Sequence, residues 1–128
     1  MDALGVLNGV LELSSHSNSG SILRKNIAHQ LGIRDLPALR SRVVTPGFLT
    51  GDYAKFVVEV LAPNETQLYL AVLTLTDRVW TLTAFMRMCQ VCKGSQDDVN
   101  ANPCRYCCAT GWGEEDVWRH HFFSRWAE

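Results

Sequence analysis

"ETQLYLAVLTLTDRVWTLTAFMRM", residues 65–88, is the stretch that decides the fold class of this 128-residue chain, because its pattern fits two structures. As a helix, it begins with a capping box made by Asn64 and Gln67. As a strand pair, it is rich in threonine, partly alternates between apolar and polar residues, and has a turn signal at 76–78. Apolar residues at steps of four and three, typical of a packed helix, are Leu68, Val72, Leu75, Val79, Leu82 and Met86.

The helical interpretation predicts a mostly α fold. The capping box and the unbroken apolar stripe favour the helix, and the alternative is a hairpin over residues 66–88, which would make the chain α+β. A further helix is predicted from Tyr53 to Leu61, since its apolar residues also have helical spacing and Pro63 follows it. We therefore expect a small helical domain over residues 1–88, to which a metal-binding unit is appended.

The stretch "SILRKNIAHQLGIRDLPALRSRVV", residues 21–44, has the layout of a helix-turn-helix unit. A first helix, capped by Ser19 or Ser21, ends at Gly32, and a second helix begins after Asp35 and includes Val43. The segment "IAHQLGI" is similar to the first helix and turn of many DNA-binding motifs of this kind. An ordinary helical hairpin with a solvated basic surface is the alternative.

Basic residues are concentrated in the same stretch, where Asp35 is the one acid between residues 24 and 42. Local positive charge suits phosphate contact, and arginine also reads guanine edges. The predicted DNA-binding residues are Arg34, Arg40 and Arg42, with Arg24 and Lys25 on phosphates.

All five cysteines lie between residues 89 and 108, and four of them form two C-x-x-C pairs separated by eleven residues rich in turn-forming types. Two such pairs point four thiolates at one metal ion, and zinc is the expected ion. Four thiolates leave no open coordination position, so we expect one structural zinc ion rather than a catalytic one. The predicted ligands of this zinc-binding module, residues 89–113, are Cys89, Cys92, Cys104 and Cys107.

The fifth cysteine, Cys108, is interpreted as a packing residue. Exchange with Cys107 as a ligand, or a redox-sensing thiol, are the alternatives, and His120 or His121 could also replace a cysteine ligand. Lys93 and Arg105 place positive charge beside the anionic centre and are predicted to add a second contact, to DNA or to RNA polymerase.

The cysteine pairs and the glycines that follow them resemble the C-x-x-C-x-G-x-G repeats in the cysteine-rich region of J-domain chaperones. The first repeat keeps Gly94 and has Gln96 in place of its second glycine, whereas the second has Ala109 in place of its first and keeps Gly111. Nothing in the chain resembles the His-Pro-Asp loop of a J domain, so a full J-protein is excluded. Phage late-gene antitermination proteins of the lambda Q type carry similar paired repeats beside DNA-binding helices, and this resemblance implies RNA polymerase as a partner.

The last segment, residues 114–128, is predicted to be an aromatic helix, with acids at its start and arginines towards its end. This aromatic side is expected to pack on the main core, or to bind a protein partner. Its aromatic residues at four-residue spacing are Trp118, Phe122 and Trp126.

Composition excludes several classes of protein. A net charge of −1 is not that of a bulk polycation, and Asp77 and Arg78 interrupt the most apolar stretch, which argues against a membrane span. The N-terminus lacks the basic and long apolar regions of a signal peptide, so we expect a cytoplasmic protein. No glycine-rich phosphate loop, H-E-x-x-H motif or Ser/His/Asp grouping is present, and no enzymatic activity is expected.

The leading functional hypothesis is a zinc-containing, DNA-binding transcription regulator, similar to a phage-type antiterminator that acts on RNA polymerase. The alternative is a protein-interaction module, or an inhibitor of a host protein, that uses the zinc unit and the aromatic C-terminal helix. A thiol–disulfide or chaperone-like helper is a third possibility, although the first C-x-x-C pair would follow a helix C-terminus, where the dipole disfavours a thiolate.

Overall fold

The computed structural model describes residues 2–14, 22–33, 40–44, 47–62, 65–90, 92–96, 100–105, 107 and 110–116. Within these ranges, two helices accompany one antiparallel sheet of six strands. No helix in this part of the chain is long and apolar enough to cross a membrane. The elements in chain order are α1 (Ala3–Ser14), α2 (Ile22–Gln30), β1 (Arg40–Val43), β2 (Phe48–Thr50), β3 (Tyr53–Leu61), β4 (Thr66–Thr76), β5 (Val79–Met88) and β6 (Trp112–Asp116).

The stretch that decides the fold class forms a strand hairpin. β4 and β5 pair along their lengths, beginning with Thr76 opposite Val79. The two turn residues, Asp77 and Arg78, have positive φ angles of 52° and 65°, as in the type I′ turns that connect hairpin strands. The predicted mostly α fold is therefore wrong. The chain is mostly β, with a sheet larger than the hairpin alternative implied.

Apolar residues on both faces of β4 explain why its sequence also fits a helical spacing. Tyr69, Leu70 and Ala71 are buried in succession, so apolar residues occupy both faces of the strand and the period of two is lost. β4 lies between β3 and β5, which both pair with its backbone. A helical stripe in this sequence is thus a consequence of a central strand that carries apolar residues on both faces.

The strand order is β1-β3-β4-β5-β6, and β2 pairs with the other half of β3. β3 and β4 pair from Tyr53 opposite Thr74 to Leu61 opposite Thr66. The helix predicted from Tyr53 to Leu61 is therefore wrong as well, because this segment is the full length of β3.

The predicted helix-turn-helix unit is wrong in its second half. α2 ends as expected, with Gly32 at a positive φ of 69° and the Ile33 amide donating to the Ala28 carbonyl at 2.9 Å. Arg40–Val43, however, is strand β1 and pairs with the end of β3. The backbone of β3 supplies the hydrogen-bond partners that a second helix would have supplied from its own backbone. Residues 34–39 lie outside the described residues.

Both helices pack on one side of the sheet, where α1 contacts β4, β5 and α2. The first turn of α1 is capped by Asp2, whose Oδ1 accepts a hydrogen bond from the Gly5 amide at 2.7 Å. The core residues that the helices contribute are Ala3, Leu7, Leu11, Leu23, Ile27 and Ala28. Those of β3 alternate along the strand and are Ala54, Phe56, Val58 and Val60.

Hydrogen bonds of polar side chains join α2 to the sheet and β5 to β4. The buried Tyr69 hydroxyl donates to Gln30 Oε1 at 2.7 Å, and Arg87 Nε donates to Gln67 Oε1 at 3.0 Å. Tyr69 also stacks on Phe85, with ring centroids 5.0 Å apart. Burial raises the pKa of Tyr69, an effect that the nearby Arg87 partly opposes, so the phenol stays neutral and keeps its proton for this hydrogen bond.

Candidate metal centre

The four predicted ligands converge at the end of the sheet where β5 ends and β6 begins. Cys89 follows β5 directly, and Cys107 lies a few residues before β6. The sulfur atoms of Cys89, Cys92, Cys104 and Cys107 all lie within 4.8 Å of one another. All four residues are buried, with at most 8% of their surface exposed. We refer to residues 89–111 as the cysteine unit.

The second cysteine of each pair begins the same kind of tight turn. The Ser95 amide donates to the Cys92 carbonyl at 3.0 Å, and the Thr110 amide donates to the Cys107 carbonyl at 3.2 Å. A glycine with positive φ lies within the first turn, 83° at Gly94, and another follows the second turn directly, 85° at Gly111. These are the glycines that the two repeats keep, and the left-handed conformation is the physical reason for them.

The two turns also pack against each other and against β5. A Cβ atom added to Gly111 would lie 3.2 Å from the Gly94 carbonyl oxygen, and one added to Gly94 would lie 3.1 Å from Met88 Sδ. Contacts this close would require the neighbouring atoms to move by a few tenths of an ångström if either glycine carried a side chain. The glycines therefore permit both the turns and their approach to the sheet.

Backbone hydrogen bonds connect the two halves of the cysteine unit. The Cys89 amide donates to the Gly111 carbonyl at 2.9 Å, and the Cys104 amide donates to the Gln96 carbonyl at 2.8 Å. The Thr110 hydroxyl lies 2.8 Å from the Cys107 carbonyl oxygen, which it can donate to. Beyond the unit, Met88 lies opposite Trp112 in the β5–β6 pair. The sheet thus holds both ends of the unit next to each other.

The sulfur geometry suits a metal ion and not a disulfide. Cys92 Sγ and Cys107 Sγ are 3.6 Å apart, whereas a disulfide bond is about 2.05 Å long. A tetrahedron with metal–sulfur distances of about 2.3 Å has sulfur–sulfur edges of about 3.8 Å. The observed separation is close to that edge, so the four thiols are placed to hold one ion.

Hydrogen bonding favours the thiolate form at Cys107. Burial by itself acts to raise the pKa of this thiol, but the Gly111 amide, which lies 3.3 Å from Sγ, and the other three cysteines outweigh it. The result is a pKa lowered to about 6. A thiolate is the form that binds metals, so this ligand is ready for an ion at neutral pH.

Amide and side-chain groups around the sulfur atoms are the part of this centre that the sequence did not predict. The Gly111 amide donates a hydrogen bond to the sulfur atom of Cys107. Gln96, at the position of a missing repeat glycine, has a positive φ of 73° and donates from Nε2 to the Thr110 carbonyl at 3.4 Å. The repeat pattern has a glycine at this position, and this was the sequence signal for a left-handed conformation at Gln96. Cys108, His120 and His121 lie outside the described residues.

The predicted nucleic-acid residues are not gathered on one surface. Lys93 and Arg105 are exposed on the cysteine unit, whereas Arg40 and Arg42 lie on β1, at the opposite edge of the sheet. Four strand spacings separate these edges, which is about 19 Å. Arg42 Nη2 also lies 3.3 Å from Glu59 Oε2 on the neighbouring strand.

The remaining predicted site residues lie on α2 or outside the described part. Lys25 is exposed on α2, and Arg24 is half-buried there. The predicted C-terminal helix begins within β6, because residues 114–116 are strand paired with β5. The residues predicted for binding that lie outside the described ranges are Arg34, Trp118, Phe122 and Trp126.

Comparison with protein-family models, with curated proteins and with solved structures finds no match to this chain. Its function must therefore be inferred from the geometry of its own residues.

Proposed function

We propose that this chain is a zinc-containing, non-catalytic binding protein that acts by contacting a protein partner. The observation that carries the proposal is the set of four buried cysteine sulfur atoms within 4.8 Å of one another. Four thiolates complete a tetrahedral shell and leave no position for a substrate or a water molecule. The metal then has a structural role, and the surface of the protein has the functional one.

Zinc is the ion that this ligand set suits best. Tetrahedral sites made only of thiolates select zinc or iron, and zinc is the usual ion in short knuckle turns of this kind. Cys92 and Cys107 would bind through sulfur atoms that the turns at Gly94 and Gly111 direct inward. When bound, the ion would hold the two turns together, which a loop-rich unit of this size needs.

Charge distribution favours a protein partner over DNA. The exposed cations of β1 and those of the cysteine unit lie at opposite edges of the sheet, so they support two small patches rather than one surface along a duplex. The net charge of −1 also gives no general attraction to phosphates. DNA binding, and the contact with RNA polymerase that the resemblance implies, stay predictions.

The metal is tested by elemental analysis of the purified protein. We expect one zinc ion per chain, and Cys92→Ser or Cys107→Ser should reduce the content to a small fraction of that value. Cys108→Ser is the matched control, since the same substitution at the fifth cysteine should leave the zinc content unchanged. Iron in place of zinc, or full zinc content in Cys92→Ser, would contradict the assignment.

The partner class is tested by two selections run in parallel with zinc-loaded protein. Affinity capture from a nuclease-treated cell lysate should yield one protein that the unfolded chain does not retain. Selection from random DNA at physiological salt should give no enriched sequence. Enrichment of one DNA sequence, lost when Arg40 and Arg42 become alanine, would instead support the DNA-binding regulator.

A further inference from the structure

Strand β1 lies at an edge of the sheet, and some of its backbone groups are directed outward. β1 pairs with β3 on one side, and no other strand of the described ranges pairs with its second side. The Val44 amide donates to the Val57 carbonyl at 3.0 Å. Because hydrogen-bonded residues alternate along an antiparallel pair, the backbone groups of Arg40 and Arg42 face β3 and those of Ser41 and Val43 face outward.

An open groove of about 420 Å³ lies beside this edge, between β1 and α1. Its α1 side is formed by Asn8, Leu11 and Glu12, and Leu61 of β3 contributes an apolar surface near Arg40. A volume of this size is within the range of ligand-binding clefts. An edge strand beside a helix can accept an extended chain, which then hydrogen-bonds to the strand and inserts alternate side chains into the groove.

We infer that β1 binds an extended acidic segment of a partner protein, which adds to the sheet as a further strand. This inference rests on the proposed function, because it names the surface and the chemistry of the partner. Arg40 and Arg42 lie on the same face of β1, opposite Leu61 and Glu59 respectively. Arg40 makes no ion pair with the residues that the structure describes. The Arg42 side chain is 72% exposed even while it contacts Glu59, and an exposed pair of this kind is easily shared with a new carboxylate.

The two faces of the added strand would meet different surroundings. Partner residues on the outer face would lie next to Arg40 and Arg42, where carboxylates are favoured. The residue between them would point into the groove, where Leu11 favours an apolar side chain and Glu12 disfavours an acid. The expected recognition sequence therefore alternates as acid, apolar residue, acid.

Like charges argue against a second copy of this chain as the occupant. In a two-fold antiparallel pair of β1 strands, the arginines of one strand would lie opposite those of the other. Like charges directly opposite each other destabilise a strand pair. An acidic strand avoids this repulsion and gains from the same two cations.

The inference is tested with a displayed library of random linear peptides, selected against zinc-loaded, full-length protein. We expect enrichment of the alternating acid–apolar–acid pattern. A synthetic peptide of the enriched sequence should bind Arg40→Glu at least about tenfold more weakly than the parent, as fluorescence polarisation would measure. Arg78→Glu is the matched control, because Arg78 is exposed in the β4–β5 turn, at the end of the sheet away from Arg40, and should not change the affinity.

Strand addition itself has a backbone signature. Ser41→Pro removes an outward amide and should abolish peptide binding, while an edge strand tolerates proline at such a position. Methylation of single amides along the peptide provides a second measurement that does not depend on folding of a variant. Every second methylation should abolish binding, and those between should not.

Several outcomes would overturn the inference. These are failure to enrich acidic peptides, equal affinity for Arg40→Glu and the parent, and no alternation in the methylation series. Self-association of the parent that Ser41→Pro removes would show that a second copy occupies the edge, and would overturn it too. A protein captured from lysate that still binds Arg40→Glu and Ser41→Pro would leave the proposed function standing while this edge is excluded as its surface.

Discussion

The sheet and the cysteine unit differ in what is buried inside them. Among the described residues, the helices and strands share fifteen buried apolar and aromatic residues, whereas the buried cluster of the cysteine unit consists of four cysteines. Burial of apolar surface stabilises the first region. The described part of the second buries little besides its cysteines, so we expect its stability to depend on bonds between metal and sulfur. One chain would thus combine a region that folds by hydrophobic packing with a region that folds by coordination.

Removal of the metal should have the largest effect and should confine it to the cysteine unit. Metal binding to small zinc modules contributes on the order of 10 kcal/mol, so residues 89–111 should lose their ordered structure when a chelator is added. β3, β4 and β5 should keep their amide protection, because no metal ligand lies in their core. Hydrogen exchange followed by NMR, before and after chelation, measures both. Loss of protection throughout the sheet would show that the two regions fold as one.

Truncation of the apolar core should have the next largest effect, and in the other region. Phe85 is fully buried and stacks on Tyr69, so Phe85→Ala should lower the free energy of unfolding by about 3–5 kcal/mol. Urea denaturation followed by circular dichroism measures the loss. Tyr53→Ala is the control, since Tyr53 is 56% exposed and its loss should cost less than about 0.5 kcal/mol. Similar losses for both would contradict the assigned core.

Replacing one glycine by alanine in each region should have opposite effects, with weaker metal binding in the cysteine unit and a more stable fold in the helical region. Gly111 has a φ of 85°, and an added Cβ atom would lie only 3.2 Å from the Gly94 carbonyl oxygen, so Gly111→Ala should weaken metal binding by about 1–3 kcal/mol. Gly9 lies within α1 and would place a Cβ atom where nothing is within 4 Å, so Gly9→Ala should stabilise the fold by about 0.5–1 kcal/mol. Competition with a chromophoric chelator measures the first, and thermal unfolding the second. A Gly111→Ala protein with parental zinc affinity would refute the role of this turn.

Acid should release the metal gradually, because each fall in pH protonates only a further fraction of the Cys107 thiolate. The pKa of Cys107 is lowered to about 6, so its thiolate form persists as the pH falls from 9 and is lost as the pH passes through 6. The contribution of this thiolate to stability is therefore complete above its unfolded pKa and is lost below about 6. Below that pH, protons compete with the metal for this thiolate, and the apparent metal affinity falls by up to about tenfold per pH unit. Absorbance of the cobalt-substituted protein, titrated from pH 8 to 4, follows the release. Half-release above pH 7.5 would contradict the lowered pKa.

The candidate site was more predictable from the sequence than the fold. Cys92 and Cys107 are each three residues after their partners, a spacing that places two thiolates together whatever the surrounding fold. Gly94 and Gly111 follow from the same short-range geometry, since the turns need a left-handed residue. The Gly111 hydrogen bond to Cys107 and the role of Gln96 were not predictable, because they depend on how the two turns meet in space.

Several segments predicted as helical instead became strands, and their backbone partners explain the difference. Residues 53–61, 65–88 and 40–43 all have apolar residues at helical spacing or a capping signal, and these are local features. Each of them pairs with another segment in the sheet, as Arg42 does with Glu59 across 17 residues. A helix satisfies its own backbone, whereas a strand needs a neighbour that the local pattern does not reveal.

By itself the sequence determined the candidate metal ligands and the glycines of the turns that position them, because each depends on residues close together along the chain. Only the tertiary structure decided that these residues serve a six-stranded sheet, with the cysteine unit at one edge and two exposed arginines at the other. Strand pairing joins segments distant in sequence, and its free energy comes from partners and burial that exist only once the chain has folded.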